Sequence, residues 1–195
     1  MQSLKVLCAY VLVVSAAACS QTVKPIGLQE LVVPLDARRF VADAQDGVSI
    51  AKSHVDDAAM HLDKMQHWAT TIADSGWPSN ANARTALTRL SDARLKIVRM
   101  EFDLAEADYE LAQAKYELVT ARTAIRHDLA TYELKPLRER QEAALANVGD
   151  LVKQIEAEQR TLEQLTGDWW AQYAGYSQGG GSTQEFFTTV GTSDF

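Results

Sequence analysis

Apolar residues return every three or four positions from Val41 to Ile72, through Ala44, Val48, Ala51, Val55, Ala58, Leu62, Met65 and Ala69. Unbroken three-four spacing over about five heptads is the seam of a coiled-coil helix. Asp36, just past Pro34, suits the N-cap. Ser75-Gly76-Trp77-Pro78 closes the pattern, because glycine accepts a left-handed cap and proline cannot continue a helix. The spacing predicts a first helix over 36–74.

A second seam runs through Ala83, Ala86, Leu90, Ala93, Ile97, Met100, Leu104, Ala107, Leu111, Ala114, Leu118, Ala121, Ile125, Asp128 and Tyr132, with Asn80 or Asn82 as its cap. Large residues alternate with alanine. An antiparallel fold about Trp77-Pro78 sets Leu62 against Ala93, Ala58 against Ile97, Ala51 against Leu104, Val48 against Ala107, Ala44 against Leu111 and Val41 against Ala114. Every pair joins a large residue to a small one, which lets the two backbones approach closely.

The second helix carries another apolar line on its opposite side: Leu95, Val98, Phe102, Ala105, Tyr109, Ala112, Tyr116 and Val119. Two opposed apolar faces predict a middle helix. Its second partner is the segment with Leu137, Ala144, Val148, Leu151, Ile155, Leu162, Leu165 and Trp169 at three-four spacing. A reversal near Lys135-Pro136 places Trp169 by Phe102, Leu162 by Tyr109 and Ile155 by Tyr116. The predicted fold is all-α, an elongated antiparallel three-helix coiled-coil bundle. Because Tyr132 to Pro136 contains no Gly, Asn or Ser, the alternative is a helical hairpin whose long second helix kinks at Pro136. In that alternative a second copy of the chain must cover the Phe102 to Tyr116 stripe.

Four segments follow from these breaks. Residues 1–18 form a signal peptide, 19–35 a tether with Pro25, Gly27 and Pro34, 36–175 the coiled-coil domain, and 176–195 a glycine-rich tail. In the tail, Glu185-Phe186-Phe187-Thr188-Thr189-Val190 is apolar and β-prone. It reads as a disordered terminus, or as a strand added to a partner's sheet edge.

Charge narrows the partners. The 195-residue chain has net charge -7, with 19 basic and 26 acidic residues; losing 1–18 removes Lys5 alone, leaving 18 against 26. That balance argues against nucleic acid or an anionic membrane as a partner reached by electrostatics of the whole chain. No nucleophile elbow, glycine-rich phosphate loop, zinc spacing or HExxH helix is present, and Glu101, Asp103, Glu106, Asp108 and Glu110 occupy the wet flanks of the coil. Neither an enzyme nor a cofactor is expected. His54, Asp57 and His61 share one helix face, yet they read as solvated polar residues rather than a metal site; His67 and His127 stand alone. Trp68, Trp77, Trp169, Trp170, Tyr173 and Tyr176 gather at one end of the predicted rod, partly as a plug closing the bundle. Trp77, Trp170 and Tyr173, with Phe186 and Phe187 of the tail, are the candidate partner-binding residues.

The first residues supply an address. Lys5 precedes an apolar core from Val6 to Val14, and Ser15, Ala16, Ala17 and Ala18 lead into Cys19, a stretch too short to span a bilayer. This resembles the bacterial lipoprotein signal. The resemblance implies that Cys19 becomes an acylated N-terminus, that Cys8 departs with the signal, and that Ser20 directs the protein to the outer membrane, facing the periplasm. Cleavage after Ala18 without acylation is the alternative and gives a soluble periplasmic protein. The stretch Ala105 to Tyr116 is similar to the alanine-rich hairpins of efflux adaptors and outer-membrane efflux channels. The expected function is therefore a lipid-anchored spacer or scaffold that binds envelope proteins, with an accessory lipoprotein of a transport complex as the rival.

Overall fold

The computed structural model describes residues 22–27, 29–75 and 81–178. It is an all-α three-helix bundle: α1 (Leu35–Ser75), α2 (Ala81–Arg126) and α3 (Leu134–Gln178). α2 packs along both of its sequence neighbours, whereas α1 and α3 share no interface of similar extent. The middle position follows from the two apolar faces of α2. Ala83, Leu90, Ile97, Ala107, Leu111, Ala114, Leu118 and Ala121 of the first seam are buried. On the opposite line Val98 is buried, and Phe102, Tyr109 and Tyr116 are half-buried.

The α1–α2 register is the one predicted from large-to-small pairing. Ala44 and Leu111 line the same groove, and Ile72 packs with Ala83.

The second turn differs from the expectation. α2 ends at Arg126 and the chain reverses over 127–133, before Pro136. Asp128 takes the left-handed conformation at φ 54°. The Leu129 N–H donates to the Ala124 carbonyl at 2.9 Å and the Asp128 N–H to that of Ile125 at 3.2 Å. These two bonds make a Schellman cap, in which an aspartate fills the position that glycine commonly takes. Pro136 lies within the first turn of α3, where its missing N–H has no intrahelical partner to lose. The chain is thus a reversed three-helix bundle and not a hairpin with a kinked helix.

An earlier turn moves α3 along α2 by about two heptads. Trp169 packs with Ala83, Leu87 and Leu90 rather than beside Phe102. Two pairs tie this register across the helices: Lys96 Nζ to Glu158 Oε1 at 2.6 Å and Arg140 to Glu117 Oε2 at 2.6 Å. Both are partly exposed and contribute about 0.2–1 kcal/mol each. α3 also runs through Gly175 to Gln178, past the predicted end of the coiled coil.

Candidate functional site

The two ends of the rod carry its distinctive chemistry. At the end formed by the α2–α3 turn and the start of α1, the stretch predicted as a tether is docked through 22–27 and 29–34. Val33 is fully buried, and Val23 packs on a cluster of Leu118, Ala121 and Leu137 with Tyr132 and Leu134 around it. The Lys24 N–H donates to Tyr132 Oη at 3.1 Å. Turn bonds from the Glu30 N–H to the Gly27 carbonyl and from the Val33 N–H to that of Glu30, each 3.1 Å, fold this strap before it enters α1. Burying one valine contributes about 1.5–3 kcal/mol, and the packing of Val23 and these hydrogen bonds add to it against the ordering entropy of the segment. Composition pointed the other way: proline and glycine mark loops, but they do not say whether a loop is docked. The signal that was available is the apolar run Leu31-Val32-Val33, which is too rich in aliphatic side chains for a solvated linker.

At the opposite end Ile72, Ala83, Leu87, Leu90 and Trp169 form a buried cluster, with Trp68, Leu162, Leu165 and Tyr173 packed around it. All three helices contribute to it. Arg94 lies over the Trp68 ring, 5.9 Å from its centroid. Burial pushes the Arg94 guanidinium down to about 10, still far above neutrality, so it remains a cation. Trp170 is 49% exposed, and its ring meets that of Tyr173 edge-on at 5.4 Å and 86°. The aromatic residues therefore divide: Trp68 and Trp169 plug the bundle, while Trp170 faces outward with Tyr173 half-buried beside it. Cys19, Trp77, Phe186 and Phe187 lie outside the described residues, as does the side chain of Tyr176.

Between the ends, a groove of about 520 Å³ opens between α1 and α2, lined by Phe40, Ala44, Gly47, Leu111, Ala112 and Val119 among others. Asp43, Asp108 and Lys115 supply its charged groups. His54, Asp57 and His61 are exposed on α1, and among the described residues no three His, Cys, Asp or Glu side chains come together to hold a metal ion. No helix among those residues is long and apolar enough to cross a membrane. No protein-family model, curated protein or solved structure matches the chain.

Proposed function

We propose that this chain is a lipoprotein of the bacterial envelope that acts as a spacer and interaction scaffold. Acyl chains on Cys19 hold one end at the periplasmic face of the outer membrane, and the stiff bundle presents the aromatic end to an envelope protein. The observation that carries this reading is the docked strap. Val23 is fixed to the α2–α3 turn end, and only four residue steps, at most about 14 Å, separate it from Cys19. α2 is 46 residues long, about 70 Å at 1.5 Å per residue. An anchor at Cys19 therefore lets Trp170 stand off the bilayer by up to about the length of that helix. Two or three acyl chains make the attachment durable, where a single chain is marginal.

Metabolic labelling with a palmitate analogue tests the anchor. The full chain should carry label in the membrane fraction and lose it on Cys19→Ser. A mature protein that begins at Cys19 with an unmodified amine, recovered from the soluble periplasm, would contradict it. For the contact end, a photoreactive residue at position 170 should crosslink an envelope protein more strongly than one at the mid-rod position 57. Recovery of an outer-membrane channel from position 170 would assign the protein to a transport complex; equal crosslinking from both positions would remove the aromatic end from the mechanism.

A further inference from the structure

The strap end exposes aliphatic side chains that the bundle leaves uncovered. Leu31 is 85% exposed, Val32 66%, Leu35 48% and Leu129 37%. Three come from the strap and the first residue of α1, and the fourth from the α2–α3 turn. The hydrogen bond from Lys24 to Tyr132 and the packing of Val23 on Leu137 join these two segments at one end of the molecule.

The charge at this end is opposite to that of the rest. Residues 22–39 and 119–140 hold eight basic and five acidic side chains, which leaves 11 of the 19 basic and 21 of the 26 acidic residues for the remainder of the chain. Glu117, just outside these ranges, pairs with Arg140, and with it counted the tip still holds eight basic against six acidic side chains. Arg39, Arg126 and Arg138 of this tip are all exposed.

We infer that this end is a lipid-contact surface, in which Leu31, Val32, Leu35 and Leu129 enter the headgroup boundary of an anionic phospholipid bilayer while the flanking arginines meet the phosphates. Apolar side chains ringed by basic ones bind such surfaces by burial and electrostatic attraction together. The inference rests on the lipoprotein reading for its location, since an acylated Cys19 within about 14 Å of Val23 brings this end to the bilayer. Direct contact of the bundle with lipid goes beyond the anchor: it replaces a swivel on acyl chains by a seated base, and so sets the direction of the rod.

The test removes the acyl chain. The mature chain, residues 19 to 195 with Cys19→Ser, is floated with vesicles of phosphatidylethanolamine and phosphatidylglycerol at about three to one, and with vesicles of phosphatidylcholine alone. Binding to the anionic vesicles is expected to be about tenfold tighter than to the neutral ones, and to weaken in high salt. The triple change Leu31→Ser, Val32→Ser and Leu35→Ser should reduce it about tenfold or more while the helical circular dichroism and melting temperature stay near those of the parent. Arg39→Gln, Arg126→Gln and Arg138→Gln together should abolish the preference for anionic lipid with the aliphatic residues intact. Absence of binding to the anionic vesicles, or binding that both variant sets leave unchanged, would overturn the inference. A photoreactive residue at position 31 that captures protein and no lipid in cell envelopes would also overturn it. Labelling at Cys19 is scored separately: a full chain that carries no label, while the Cys19→Ser chain floats through these residues, defeats the anchor alone.

Discussion

Thr120 is fully buried on α2 and its Oγ1 has no hydrogen-bond partner, and the same is true of Ser91 Oγ. Thr123, about one turn further along α2, shows the usual solution: its hydroxyl donates to the Val119 carbonyl at 2.9 Å. A buried hydroxyl without a partner costs about 1–3 kcal/mol. Thr120→Val, which keeps the shape, should raise the stability by about 1 kcal/mol in urea unfolding, and Ser91→Ala should act in the same direction. Unchanged or lower stability in both would show that the hydroxyls are satisfied in solution. At this scale the placing of Trp169 and Trp170 is readable in the sequence. Trp169 falls on the α3 seam and is buried, whereas Trp170, about 100° further round the helix, is exposed. Leu87 was not readable. It sits on neither apolar line of α2, and its complete burial comes from the place where three helices converge.

The helices themselves follow from periodicity, and their ends from cap chemistry, with one informative exception. α1 spans Leu35–Ser75 against an expected 36–74, because Pro34 and the Ser75-Gly76 step are strong signals. The α2 end was placed too late, because aspartate is a weaker sign of a left-handed cap than glycine and Asp128 falls on the seam as if it continued the helix. That error carried the α3 register with it. A seam repeating every seven residues stays apolar on apolar after a slip of whole heptads, so pattern alone does not choose among registers and the turn must do so. The cap gives a direct check. Asp128→Gly relieves the left-handed backbone and should stabilise the bundle by about 0.5–1 kcal/mol, whereas Asp128→Val should destabilise it by about 1–2 kcal/mol. Thermal unfolding decides between them; a valine variant as stable as the parent would mean that the chain does not reverse at this residue.

As a whole the molecule is a rod with two unlike tips: a basic, aliphatic end holding the strap, and an aromatic end closed by Trp68 and Trp169 with Trp170 outside. Because α1 and α3 both lean on α2, distance along the rod is fixed by one continuous 46-residue helix rather than by a chain of joints. The proposed anchor would give that asymmetry its use, with one tip at lipid and the other turned toward the proposed partner. The most direct test uses the acylated protein in vesicles that contain headgroup spin-labelled lipid. A fluorophore is attached through Thr131→Cys at the strap end or Gln172→Cys at the aromatic end, both exposed positions. Strong quenching at position 131 and none at 172, about 60 Å away along α3, is the predicted result. Quenching at 172 equal to or stronger than at 131 would contradict the orientation and the spacer role built on it.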